Sequence, residues 1–173
     1  MVPGDECGRA NASSVTTGVE AMATLSPTFR SDTERIHREH QLLEHLLRRL
    51  DAALDRLVCY GEVFADFSAA GQLRRYGRQL TEQFPEHCRR EEATMLDPIA
   101  EVSPELAEFC SRMKGEHADL LVQLAEFRAA LDALDRADDL SEAICRLKDQ
   151  GKELTRELRR HVATEENELR GFL

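Results

Sequence analysis

Two stretches decide how the chain reads: HCRREEATML at 87–96 and HVATEENELR at 161–170. Each opens on a histidine and carries a glutamate four residues later, His87 with Glu91 and His161 with Glu165. On a helix, residues four apart share a face and lie about 6 Å apart along the axis. The chain holds only six histidines, so the same frame used twice needs a physical reason.

The flanks supply the helices. Leu73, Tyr76, Leu80, Phe84 and Met95 recur at helical spacing, with His87 and Glu91 filling the intervening places. This predicts a helix from about Gln72 to Leu96, kinked by Pro85 shortly before His87 and ended by Asp97-Pro98. Leu140, Ile144, Leu147, Gly151, Leu154 and Leu158 lead to His161, Glu165, Leu169 and Phe172, a helix starting near Asp139 or Ser141. Upstream, SDTE at 31–34 reads as a capping box, Ser31 with Glu34. It opens a stripe of Ile36, Leu43, Leu47, Leu50, Leu54 and Leu57 that is complete only if His40 belongs to it. The remaining helix has Ser103 as N-cap and Pro104 at its first position. Its stripe is Leu106, Cys110, Met113, His117, Leu120, Leu124, Phe127, Leu131 and Leu134. Connections are short except 58–71, VCYGEVFADFSAAG, which has room for a turn of helix. The expectation is all-α: an up-down-up-down antiparallel four-helix bundle over 31–173.

The composition agrees. The 173 residues are 42% hydrophobic and 32% charged, with five prolines and no tryptophan, and Leu, Ala, Glu and Arg favour helix. A net charge of −10 repels nucleic-acid phosphates and anionic membrane surfaces. No run approaches the roughly 20 apolar residues of a membrane span. Residues 1–30 read as a mostly disordered leader, within which Met22 is an alternative start. They lack the basic and apolar regions of a signal peptide. Five cysteines without a CxxC pair fit reduced packing thiols and a cytoplasmic location.

The stripes place one histidine of each helix in the core. His40 lies near the start of the first helix and His117 in the first half of the third. His87/Glu91 and His161/Glu165 lie near the ends of the second and fourth. In an antiparallel bundle those regions meet at one level. Two buried carboxylates cost several kcal/mol each unless something pairs with them. Four imidazoles and two carboxylates are nitrogen and oxygen donors suited to iron or manganese. His45 falls on the outer face. His37 and Glu44 border the seam as lesser candidates. Glu39, Glu92, Glu116 and Glu166 adjoin the candidate ligands but turn about 100° away, to solvent or to a neighbouring group. The chain also repeats itself: REHQLL at 38–43 resembles GEHADL at 115–120, and each precedes a helix with HxxxE.

On the EH of His40, HCRREE, the EH of His117 and HVATEE, residues 31–173 resemble the hemerythrin-like family, in its bacterial HHE cation-binding branch. The resemblance implies a four-helix bundle with a non-haem di-iron centre and an oxo or hydroxo bridge. His40, His87, His117 and His161 would be terminal ligands, and Glu91 and Glu165 would bridge. Manganese or zinc substitution is compatible with the set. The oxygen carriers of the family have HxxxH on the third helix, where this chain has Leu121, and HxxxxD on the fourth, where it has HxxxE. The resemblance therefore implies a protein that binds or senses a small ligand such as O2, NO or peroxide rather than a simple oxygen carrier. Scavenging of oxidants or NO is the alternative, as is repair of iron–sulfur clusters. The repair proteins add an N-terminal cysteine domain, against which the leader sets Cys7 alone. A metal-free structural bundle is the third reading.

Overall fold

The computed structural model describes residues 27–59, 67–136 and 140–169. The leader, with Cys7 and Met22, lies almost wholly outside the described residues. Helix α1 spans Pro27–Cys59, α2 Phe67–Glu91, α3 Asp97–Ala100, α4 Pro104–Ala133 and α5 Leu140–Leu169. A five-residue π-helical segment, Glu92–Leu96, joins α2 to α3, so the second arm of the bundle is helical to Ala100. No described residue is in a strand.

Each long helix packs on its neighbours in the cyclic order α1, α2, α4, α5. Cross-contacts fix the directions. The start of α1 meets the end of α2 through Glu39 and Arg90, and the end of α1 meets the start of α2 through Arg56 and Gln72. Gly77 approaches Leu131 and Gly151 approaches Leu54, while His37 lies on Glu166. All four seams are antiparallel, as the short connections require.

Three local expectations are corrected. The first helix begins at Pro27, so Ser31 is an exposed helical residue and not a cap. Burial of Phe29 and Thr33 explains the extra turn, and the Thr33 hydroxyl donates to the Phe29 carbonyl at 2.7 Å. Asp97-Pro98 does not end the second arm. Pro98 lacks an N–H and its ring crowds the carbonyl one turn back. The wider π turn before it takes up that conflict, with the Asp97 N–H bonded to the Glu92 carbonyl. The helix continues because Ile99 is buried in the core. The stretch 58–71 is a shorter connection than its sequence suggests, since α1 runs to Cys59 and α2 starts at Phe67. Pro85 lies within an unbroken α2. At α4, Ser103 caps as expected, its hydroxyl accepting from the Leu106 N–H at 3.3 Å.

The apolar core is split into two clusters. The larger, around Leu47, Leu54, Leu80, Phe84, Phe127 and Leu154, fills most of the bundle. The smaller, around Ile36, Met95, Leu96, Ile99, Phe109 and Met113, closes the other end. Glycine lets helices approach where the core is tightest. A Cβ on Gly151 would sit 2.7 Å from Leu54 Cδ1 and 3.0 Å from Phe127 Cε2, and both side chains are fully buried. Nothing lies within 4 Å of a Cβ on Gly115. Gly151→Val should therefore lower stability by about 1–3 kcal/mol through overpacking. Gly115→Ala should raise it by about 0.5–1 kcal/mol. Thermal melts of the two variants check both signs.

A polar hub joins α1 to α5. Asp51 accepts from the Thr155 hydroxyl at 3.0 Å and from Arg159 at 2.5 Å, and pairs with Lys152 at 3.1 Å. Burial works to raise its carboxyl pKa, but bonds from Arg159, Lys152 and Thr155 hold it below the usual range. A depressed acid stabilises the fold above its unfolded pKa and loses that contribution as pH falls through the folded value. Asp51→Asn should cost about 1–2 kcal/mol at neutral pH. Urea unfolding should show the difference vanishing well below pH ~3.9.

Candidate metal centre

Between the two apolar clusters lies a polar layer. His40, His87, Glu91, His117, His161 and Glu165 are each at most 4% exposed. The structure brings all six predicted side chains together. His40 and His87 meet edge to face with ring centroids 4.9 Å apart, and His117 and His161 do the same at 4.8 Å. The two carboxylates lie between these pairs. Glu91 Oε1 is 3.6 Å from His40 Nε2, and Glu91 Oε2 is 3.5 Å from His87 Nε2 and 3.1 Å from His117 Nε2. Glu165 Oε2 is 3.4 Å from His40 Nε2 and 3.9 Å from His161 Nε2.

The outer nitrogens are held by a second set of glutamates. His40 Nδ1 lies 3.3 Å from Glu166, His87 Nδ1 3.2 Å from Glu39, His117 Nδ1 2.8 Å from Glu92 and His161 Nδ1 3.0 Å from Glu116. An ionised carboxylate only accepts, so each Nδ1 carries a proton, and in the neutral ring Nε2 then turns a lone pair inward. Burial works to lower His117, but Glu91 and Glu92 beside it outweigh that and raise it. The partners form a closed ring around the bundle. Glu39 of α1 serves α2, Glu92 after α2 serves α4, Glu116 of α4 serves α5, and Glu166 of α5 serves α1.

This tautomer tests whether the residues fit a metal. All four Nε2 atoms and all four oxygens of Glu91 and Glu165 are buried and make no hydrogen bond. The 3.1 Å approach of His117 Nε2 to Glu91 is not aligned for one. Buried polar atoms are normally satisfied, and these eight have no hydrogen-bond partner in the protein; cations between them would supply one. Two groups of closely spaced donors are present, His40/His87/Glu91 and Glu91/His117/His161, with Glu91 common to both and Glu165 in neither. Glu165 stands beside them, nearest to His40 at 3.4 Å. Nitrogen and oxygen donors without a thiol suit iron, manganese or zinc.

Without a cation the carboxylates divide the load unequally. Burial and the adjacent Glu91 charge push the Glu165 carboxyl well up. Burial works to raise Glu91 too, but Glu165, His117 and His40 around it outweigh that and hold it well down. Burial also lowers His87 and His161. Burial pushes the Cys88 thiol well up, so it packs as an inert thiol beside His87.

The lesser candidates fall outside the layer. His37 is half exposed and reaches Glu166 at 3.2 Å. Glu44 pairs with Arg48 and with Arg159 of α5, because the helix turns it away from the seam. His45 is exposed and accepts from Arg49. Leu121 is half-buried against the larger apolar cluster. Sequence reasoning missed the Thr94 hydroxyl, buried without a partner in the π turn. It also missed the small cavity that Met95, placed in the core stripe as expected, walls with Ile36 and Leu169 and that ends on His40 and Glu165. The break in helical phase at the π turn has no local sequence signal except Pro98.

An antiparallel bundle with one histidine from each of the four long helices and carboxylates from two of them in one buried layer defines the class of bundle-core metal proteins. The family model described as the hemerythrin HHE cation binding domain matches residues 30–173, and the chain belongs to that family. No curated protein and no solved structure gives a significant match. No described helix is long and apolar enough to cross a membrane.

Burial and the Glu91 charge already disfavour the ionised form of Glu165 in the metal-free protein. Glu165→Gln should therefore leave the unfolding free energy of the metal-free form unchanged to within about 1 kcal/mol at neutral pH and abolish part of the metal binding. Chemical denaturation in excess chelator, beside metal analysis, reads both effects. A less stable variant would mean that Glu165 has a partner other than a cation.

Proposed function

We propose that the chain is a non-haem di-iron protein that binds or senses a small ligand such as O2, NO or peroxide, in the cytoplasm. His40 and His87 would hold one ion and His117 and His161 the other, with Glu91 and Glu165 supplying negative charge to both. The observation that carries this reading is the meeting of four Nε2 lone pairs and four carboxylate oxygens in one buried layer, none with a hydrogen bond. Membership of a cation-binding family favours it further. Manganese or zinc could take the same donors.

Iron held this way supplies one-electron redox chemistry and positions for a further ligand. The chain's own residues do the rest. The outer glutamates keep protons on Nδ1 and aim Nε2 inward. Leu96, Ile99 and Met113 on one side and Phe84 on the other keep water from the layer. The cavity walled by Ile36, Met95 and Leu169 is about the size of a single water, with no room for an organic substrate.

The purified protein should carry about two iron ions per chain, and metal should raise its melting temperature by mass action. Glu91→Ala should lower the metal content below two, because the cations lose the negative charge between them. His45→Ala, on the exposed face of α1, should leave it unchanged. Elemental analysis of the three proteins decides. Equal loss in both variants, or no metal in any, sinks the reading. Absorbance changes on mixing the reduced protein with O2, NO or peroxide then separate stoichiometric binding from turnover.

A further inference from the structure

The repeat makes the two halves of the layer alike, but the outer glutamates are not alike. Glu92 gives Oε1 to His117 at 2.8 Å and Glu116 gives Oε2 to His161 at 3.0 Å. Among the described residues no arginine or lysine forms an ion pair with either. Lys114 lies close enough to feel the Glu92 charge but places its ammonium on Asp97 at 2.5 Å. The partners of the other half are longer and shared. Glu39 reaches His87 at 3.2 Å while its other oxygen takes Arg90 at 2.6 Å and Arg35 at 3.3 Å. One oxygen of Glu166 is divided between His40 at 3.3 Å and His37 at 3.2 Å.

Sharing has a direct consequence for the imidazoles. A carboxylate accepting from Nδ1–H pushes electron density through the ring and makes Nε2 a stronger donor. A guanidinium on the same carboxylate withdraws part of that charge. Glu39 is the most enclosed of the four outer glutamates at 19% exposed, but two guanidinium groups face it. The halves differ in access as well. The cavity beside Ile36, Met95 and Leu169 ends on His40 and Glu165. A second cleft, between α4 and α5, reaches His161 and its outer partner Glu116, and neither Glu91 nor Glu165 lines it.

We infer that the two metal positions are unequal: the His117/His161 position binds its ion first and more tightly, and the His40/His87 position is the weaker, exchanging one. The inference rests on the two-ion reading of the site. It assigns Glu92 and Glu116 as positioning residues that set affinity, and Arg90 as the residue that weakens the opposite half. Arg90 lies three residues after His87, and the same place after His161 is Thr164.

The test uses the full chain stripped of metal, labelled with 15N-histidine and titrated with diamagnetic Zn2+. At one equivalent the free-ring signals of His117 and His161 should be lost to metal-bound ones while those of His40 and His87 persist. Glu116→Gln should lower affinity at its position roughly 10–100-fold, so that the order evens out or reverses. Glu92→Gln repeats the test from the other outer partner should the first variant fold poorly. Glu39→Gln should leave the order unchanged. Early loss of the His40 and His87 signals, or equal loss in both pairs, overturns the inference and leaves the two-ion reading standing. So does an unchanged order in both Glu116→Gln and Glu92→Gln. Failure of Zn2+ to bind at all overturns the two-ion reading itself and the inference with it.

Discussion

Two carboxylates facing each other in a leucine-rich core are the constraint on which the rest of the bundle depends. Glu91 and Glu165 have no exposed surface. Such a pair is costly in low dielectric unless positive charge lies between its members. Burial works against charge on His87 and His161, so these two histidines supply little of it. The apolar clusters on either side keep water from relieving the pair. A bundle built only for stability would place leucine at these six positions, which is why their arrangement argues for a cation.

The remaining structure holds that layer at one height. The ring of outer glutamates ties each long helix to the next at the level of the histidines. Further along the bundle, Asp51 pins α1 to α5, and the close approaches at Gly77 and Gly151 bring α2 and α5 onto Phe127 of α4. These contacts lie on the side of the larger cluster, away from the π turn. The end that carries the smaller cluster is where the helix phase shifts. There Met95 and Leu96 turn inward after Glu91, and the cavity forms.

Much of this was legible in the sequence, and the limits have physical causes. The stripes of Leu47, Leu54, Leu80 and Leu158 fix the helices because a strict period admits only one buried face. His40, His87, His117 and His161 fill gaps in those stripes, so their burial followed from the period. The antiparallel order followed from short connections, and with it the common level of the site. What failed was local. Ser31 and Glu34 satisfied the spacing of a capping box, yet tertiary burial of Phe29 carried the helix past them. Asp97-Pro98 looked like a stop, yet burial of Ile99 favoured a wider turn over an end. The direction of Glu39 and Glu116, left open between solvent and a neighbour, depended on a helix packing that a single chain pattern does not encode.

The dipeptides EH and EE in the repeat now have a shared explanation. Glu39 and His40 are adjacent in sequence, so they point about 100° apart on the helix. His40 aims at the centre and Glu39 at the next helix, where His87 needs a partner. Glu116 does the same for His161 within the second half. Glu92 and Glu166 turn away from Glu91 and Glu165 in the same manner, and they serve histidines of the other half. One half alone would leave a glutamate without a histidine at its end and a histidine without a glutamate at its start. Two copies close the ring, and each supplies what the other lacks. The closed ring carries its own asymmetry, since the place three residues after the HxxxE histidine is Arg90 in one copy and Thr164 in the other. The repeat is thus symmetric in its inward ligands and unequal in the charges that surround their outer partners.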